Sequence, residues 1–236
     1  MVSSGDLATI ERLAEQTISD CFDDAVRRFG NQPALFEQNR ILTFNDLNRS
    51  VNQAAHAIRQ RTGGGRDPII LLMDQRASAV VGFLAILKAG KLCVPANPVN
   101  NEARFLNRII AEMKPSLVIS CTDLLEIVHA LGSEADVLDL DRVDEESADL
   151  PSPPPSEDAA IVVYTSGSTG IPKGVLHHQR NILHRVFWYA SQFNIGQADR
   201  TMMLSAPDHI SGTVGMLRAL LTGGQLHMWS IRRQGL

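Results

Sequence analysis

The sequence predicts an α/β fold, a mostly parallel sheet flanked by helices, on three observations. Short continuous apolar runs, Ile69-Ile70-Leu71-Leu72 and Ile161-Val162-Val163 among them, read as strands buried on both faces. Segments with apolar residues at helical spacing separate such runs. Alternation of the two kinds of segment brings successive strands into a parallel sheet with helices on both faces. The 236 residues, 44% hydrophobic and 20% charged, are enough to bury a substantial core.

Residues 7–29 have a helical period, with Ile18, Phe22, Ala25, Val26 and Phe29 recurring before Gly30 stops the run. Residues 34–37 and 40–43 flank Gln38-Asn39 as a hairpin. Thr43 and Asp46 then make a capping box, which starts a helix bearing Leu47, Val51, Ala54, Ala55 and Ile58 on one face. Gly63-Gly64-Gly65 would suit an anion at a helix start, but the strand at 68–73 follows it, so the triplet reads as a plain turn. A helix at 77–88, ended by Gly90, completes a β-α unit.

A helix at 102–113, a strand at 117–120, a helix at 123–131 and a strand at 136–140 continue the alternation. Residues 144–158 turn acidic and then proline-rich, and Pro151, Pro153, Pro154 and Pro155 exclude a helix or a central strand. The stretch reads as a connector within the fold, with a proline-rich recognition ligand as the sharper alternative. Beyond it come the apolar strand at 161–164, a helix at 179–193, a strand at 201–204, a loop through 205–212, a helix at 214–221 and a strand at 225–229.

Composition removes several function classes. A net charge of -4 gives no electrostatic footprint for nucleic acid. Cys21, Cys93 and Cys121 lack Cys-x-x-Cys spacing, so neither a zinc knuckle nor a disulfide framework is indicated, and a reducing, cytoplasmic setting is expected. His177, His178 and His184 cluster, but no carboxylate or cysteine completes a zinc set, and no metal ligand is assigned. The polar start lacks the apolar core of a signal peptide, and the longest apolar segment, 77–87, is far short of the roughly 20 residues that span a bilayer.

Chemistry concentrates where the run at 161–164 breaks into Thr165-Ser166-Gly167-Ser168-Thr169-Gly170-Ile171-Pro172-Lys173-Gly174-Val175. Glycines let the backbone approach an anion and adopt positive φ, hydroxyls offer donors to phosphate oxygens, and Lys173 adds a positive charge. The stretch is not a P-loop, because Pro172 precedes the lysine and Gly174-Val175 follows it. A flexible connector has similar composition, but no reason to follow a core strand or to close on Pro-Lys-Gly-Val.

Residues 164–175, reading Tyr-Thr-Ser-Gly-Ser-Thr-Gly-x-Pro-Lys-Gly-Val, resemble the signature of the adenylate-forming (AMP-binding) superfamily. That superfamily comprises acyl-CoA synthetases, aryl-CoA ligases, luciferases and the adenylation domains of nonribosomal peptide synthetases. Leu42-Thr43-Phe44-Asn45-Asp46-Leu47 is similar to its Leu-Thr-Tyr-x-Glu-Leu element, and residues 87–95 to its Leu-Lys-Ala-Gly-x-x-x-Val-Pro element. Residues 207–229 resemble its Pro-x-x-His-x-x-Gly element followed by Leu-Leu-x-Gly-Gly and a strand. The likeness runs from about residue 18 to 229, yet no Tyr-Gly-x-Thr-Glu or Arg-Thr-Gly-Asp element is found, nor a C-terminal domain with its adenylation lysine. The expectation is an incomplete N-terminal domain of an adenylate-forming enzyme over residues 1–236, inactive as this chain alone.

The resemblance implies attack of a carboxylate oxygen on the α-phosphate of ATP, giving an acyl-adenylate and pyrophosphate. Thioester formation on CoA or a carrier-protein phosphopantetheine follows. Thr165, Ser166, Gly167, Ser168, Thr169, Gly170 and Lys173 are the implied cofactor-binding residues, and Lys173 and His209 the catalytic ones. Mg2+ is implied as well, although its family carboxylate ligand is absent from this chain. Implied partners are a small carboxylic acid, the thiol acceptor and a missing C-terminal portion. Where amino-acid-activating members carry an aspartate for the α-ammonium, Ile210 stands here, so an acid without an α-amino group is expected, unless a slip in the loop brings Asp208 into play. The alternatives are an amino-acid adenylation domain of a nonribosomal peptide synthetase and a non-enzymatic nucleotide-binding module. The strand at 161–164 is expected to be parallel with the signature loop beyond its C-terminal end, and the strand at 225–229 to form an exposed sheet edge.

Overall fold

The structure, a computed structural model, describes residue 11 and residues 16–143, 159–166 and 172–229. The connector at 144–158 lies outside the described residues. Ten strands and seven α-helices are described. They are β1 (Pro33–Glu37), β2 (Arg40–Thr43), β3 (Pro68–Leu72), β4 (Leu92–Ala96), β5 (Leu117–Ser120), β6 (Asp136–Asp139), β7 (Ala159–Ser166), β8 (Pro172–His178), β9 (Arg200–Met203) and β10 (Gln225–Met228), with α1 (Ile18–Phe29), α2 (Phe44–Thr62), α3 (Ala77–Lys88), α4 (Ala103–Met113), α5 (Leu125–Ala130), α6 (Gln179–Gln192) and α7 (Ile210–Leu221).

Capping boxes start α1 and α2. Thr43 accepts at its hydroxyl from the Asp46 N–H, and the Asp46 carboxylate accepts from the Thr43 N–H; Thr17 and Asp20 repeat the arrangement before α1. From there α2 buries Phe44, Leu47, Val51, Ala54, Ala55 and Ile58, the face its spacing marks out. By contrast, every residue of α3 except Ser78 is buried, which explains its lack of a polar face.

The strands form two mostly parallel sheets. A six-stranded sheet has the order β6-β5-β3-β4-β7-β8, and a four-stranded sheet the order β2-β1-β10-β9. Alternate residues of β3 point to opposite sides: Ile69 and Leu71 join the main core with α1, α2, α3 and α7, while Ile70 and Leu72 join a second core with Leu106 and Ile109 of α4. Helices therefore cover both faces of the larger sheet, as a parallel sheet requires. Among the described residues no helix is long and apolar enough to cross a membrane.

Two expectations are corrected. Strand β7 runs parallel to β4 on one side, with Ile161 opposite Cys93, but on the other it forms an antiparallel hairpin with β8. The connection, residues 167–171, is far shorter than the dozen or so residues a parallel crossover needs, so only a hairpin can close it. At the sheet edge, β8 is mostly exposed and needs no apolar run to announce it. Strand β10 is not an edge either, because it lies between β1 and β9. The open edge on that side is β9, where Met202 and Leu204 are exposed.

Candidate functional site

The carboxyl ends of β4 and β7 lie side by side, the position where open parallel sheets place their ligands. Pro95 and Ala96 from β4, Tyr164 and Thr165 from β7, Phe105 and Ile109 from α4, and the loop before α7 enclose a cavity of about 300 Å³. That loop contributes Asp208 and His209, and Asn101 completes the polar part of the wall. Three successive hydrogen bonds position Asn101: the Asn97 side-chain oxygen accepts from Val99 N–H at 2.9 Å, the Asn97 carbonyl accepts from Asn101 N–H at 3.1 Å, and the same carbonyl accepts from Asn101 Nδ2 at 2.9 Å.

The loop at 205–209 is folded tightly onto the first turn of α7. A Cβ on Gly212 would lie 2.2 Å from the Ala206 carbonyl oxygen and 2.5 Å from that of Ser205, so only glycine fits. Thr213 Oγ1 donates to the Pro207 carbonyl at 2.8 Å, and His209 N–H donates to the Ala206 carbonyl at 3.1 Å. These contacts make His209 the N-cap residue of α7, with its side chain exposed, and turn Asp208 inward. Pro207 and His209 flank a single residue here, one fewer than in the Pro-x-x-His pattern.

Asp208 is 8% exposed, and its Oδ1 has no hydrogen-bond partner. Burial pushes its carboxyl above the ordinary carboxylate range, against the smaller opposing pulls of His209 and Asn101. Tyr164 is held neutral in the same wall: burial first, and then the Glu112 carboxylate, push its phenol up to about 12. The cavity thus pairs apolar walls with one buried acid that has an unused acceptor.

Of the residues singled out in the sequence, the structure brings Thr165 and His209 to this one cavity. Lys173 is register-paired with Thr165 on β8, and the Thr165 hydroxyl donates to its carbonyl at 3.5 Å. The exposed Lys173 lines a neighbouring open depression with Arg108 and Glu112, rather than the cavity itself. Ser166 ends β7, and Gly167, Ser168, Thr169 and Gly170 lie outside the described residues. Phe105 and Ile109 escape sequence reading because an amphipathic helix gives no sign of which of its residues meets a distant loop, and Asn101 because it lies in the turn before that helix.

Among the described residues one group, Cys121, Asp123 and Asp141, has ligand atoms close enough to hold a metal ion. Its centre of charge is already a protein cation: Arg76 Nη1 lies 2.8 Å from Cys121 Sγ and 2.7 Å from Asp123 Oδ1, with Nη2 3.0 Å from Asp123 Oδ2. Magnesium keeps several waters and is held by one or two ionised carboxylates together with substrate phosphates. Among the described residues the cavity offers one carboxyl, that of Asp208, which is held towards its neutral form and is a poor ligand for that ion until it ionises; no step is assigned to a metal.

A cleft beyond the carboxyl ends of parallel strands, entered by a hydroxyl-rich strand end, defines an α/β protein with a site for a small ligand. The chain belongs to the AMP-binding enzyme family, whose model matches residues 22–234. It is 30% identical over 219 residues to tyrocidine synthase 1 of Brevibacillus parabrevis, an alignment covering 91% of this chain and 20% of that protein. It is 29% identical over 218 residues to surfactin synthase subunit 2 of Bacillus subtilis (strain 168), covering 92% of this chain and 6% of that protein. The chain therefore spans a fifth or less of the length of these relatives. Its fold matches that of the nonribosomal peptide synthetase FmoA3 in its α-methyl-L-serine-AMP bound form, with a TM-score of 0.82, 20% identity and coverage of 95% of this chain and 26% of the other.

Proposed function

We propose that this chain is the N-terminal part of an adenylation unit that activates an amino acid. The substrate carboxylate attacks the α-phosphate of ATP, an aminoacyl-adenylate forms as pyrophosphate leaves, and the acyl group passes to the thiol of a carrier phosphopantetheine as AMP leaves. The observation that carries this reading is the buried Asp208 carboxyl, with an unpartnered Oδ1, in the same cavity as Thr165 and His209. An ammonium group placed there satisfies that oxygen, and the pairing gains from the low local dielectric. Phe105, Ile109 and Ala96 offer apolar surface to a side chain of modest size.

Tyrocidine synthase 1 and surfactin synthase subunit 2 support the amino-acid reading over the acid without an α-amino group expected from Ile210. Ile210 opens α7 and is half-buried, and an apolar residue at that position leaves Asp208 as the acid that meets the ligand. In this reading Thr165, Ser166, Gly167, Ser168, Thr169, Gly170 and Lys173 hold the phosphates, where developing charge on pyrophosphate needs fixed donors. His209 borders the acyl group.

The test is ATP–pyrophosphate exchange by the full-length protein that contains this chain, with amino acids set beside their α-deamino analogues. Exchange should prefer the amino acid by a hundredfold or more, as when a buried acceptor is left unpaired by the wrong substrate. Equal exchange with a deamino acid refutes the reading.

A further inference from the structure

A larger concavity, of about 1010 Å³, shares no lining residue with the cavity above. It is bounded by the last turn of α1, residues 30–32, the first turns of α2, and Lys88 at the end of α3. Its lining is one-sided in charge: Arg27, Arg28, Arg49 and Lys88 face it, against Asp23 alone. Five carboxamide side chains supply most of the remaining polar surface. In a chain of net charge -4 this concentration of donors is not the background composition.

The cations divide into two kinds. Lys88 is 3% exposed and forms the floor, with Nζ 2.6 Å from Asp23 Oδ1 and 3.3 Å from Asn48 Oδ1, so its charge is neutralised locally. Arg27 is bonded to Asp24, and Arg49 to Asp46 at 3.3 Å, as exposed pairs that a ligand can outcompete. Arg28 has no ion pair among the described residues; its guanidinium sits 4.9 Å from the centroid of the Phe29 ring, which orients it without neutralising it. Guanidinium forks beside carboxamide donors match the oxygens of a phosphate group.

We propose that this cleft binds a small phosphate-bearing ligand, at a site separate from the cavity of Asp208 and His209. The assignment does not depend on the substrate of that cavity. The phosphate supplies the acceptors, Arg28 and Arg49 the charge, and Asn48 Nδ2 a neutral donor, joined by the second N–H of Asn45 Nδ2, which already donates to Asn31 Oδ1 at 3.0 Å.

The experiment is a titration of the 236-residue chain with inorganic tripolyphosphate, followed through the side-chain NH2 signals of Asn45 and Asn48 and the Nε–H signal of Arg28. Saturable shifts of these signals are expected, weakened at least tenfold in R28E/R49E and unchanged in Lys173→Ala. Should the double variant not fold, Arg28→Gln alone should weaken binding severalfold. Sodium sulfate at equal ionic strength should give no saturation. The proposal is overturned by shifts confined to residues 165–175, by equal shifts in the folded charge-reversed variant, or by sulfate matching tripolyphosphate.

Discussion

Thr165, at the carboxyl end of β7 in the six-stranded sheet, and His209, at the head of the helix that joins two strands of the four-stranded sheet, line one cavity. The site is therefore built at a seam between the sheets. Polar contacts close the same seam: the Gln75 side-chain amide donates to the Met203 carbonyl, and Glu37 Oε1 accepts from Ala77 N–H at 2.8 Å. Such contacts fix the relative position of two elements that share no strand pairing, which is what a site of fixed geometry needs.

The seam makes Gly212 sensitive. Alanine there drives a Cβ into the backbone carbonyls of Ser205 and Ala206, which cannot move as a flexible side chain could. Gly212→Ala should lose more than about 2 kcal/mol of stability and displace Asp208 and His209 together. Urea denaturation, alongside substrate KM in the full-length protein, checks this; an unchanged midpoint and KM would show that the loop is free to shift.

Lys173 should behave in the opposite way. It is exposed on an edge strand, so Lys173→Ala should change stability by less than about 0.5 kcal/mol. Pyrophosphate exchange in the full-length protein should fall by on the order of tenfold to a thousandfold, the loss expected for one group stabilising a developing anion. Parent-like exchange would remove Lys173 from phosphate binding.

Capping gives a prediction that concerns folding alone. Thr43→Ala removes the hydroxyl that accepts at the start of α2 and should cost about 1 kcal/mol. Thr43 also holds the Asp46 carboxyl below its ordinary range, first through its hydroxyl and then through its N–H. A depressed carboxyl contributes stability above its unfolded pKa, lost as pH falls through the folded value. Thr43→Ala should therefore lose more stability at neutral pH than in acid, measured by urea midpoints at both. An equal loss at both pH values would detach Asp46 from the cap.

Much of this architecture was legible. The box at Thr43 and Asp46, the largely apolar helix at 77–88 and the doubly buried strand at 68–72 each follow from local chemistry, and local chemistry decided them. The sheet order was not legible, because Leu35 pairs with Leu226 across most of the chain and no residue type specifies such a partner. Strand β8 stayed hidden for a related reason, since an exposed edge strand needs neither alternation nor an apolar run. At the site, Thr165 and His209 were marked by motif. Asp208 entered only as the residue that a slip in the loop would bring into play, and the fold decides it, because sequence cannot tell an inward-facing loop aspartate from a solvated one.

Asp208 also yields the prediction that most directly tests the proposed chemistry. A buried carboxyl with a raised pKa binds more protons in the native chain than in the unfolded one over the window between the two values. Its contribution is fully present below the unfolded value, about pH 4, and is lost as pH rises through the raised native value. Asp208→Asn keeps the shape without the charge, so the variant should gain stability relative to the parent as pH rises above that lower limit. An ammonium ligand reverses the preference, because it favours the carboxylate; amino-acid binding within the window should release a proton from the parent and none from the variant. Urea midpoints across pH test the first statement, and calorimetric titrations in buffers of different ionisation enthalpy test the second. The variant should also lose amino-acid affinity by a hundredfold or more while retaining the weak affinity of the parent for a deamino analogue. Parallel stability curves, with amino-acid binding that neither weakens nor changes its proton count in Asp208→Asn, would place the ammonium elsewhere and leave Asp208 as a buried acid without a part in recognition.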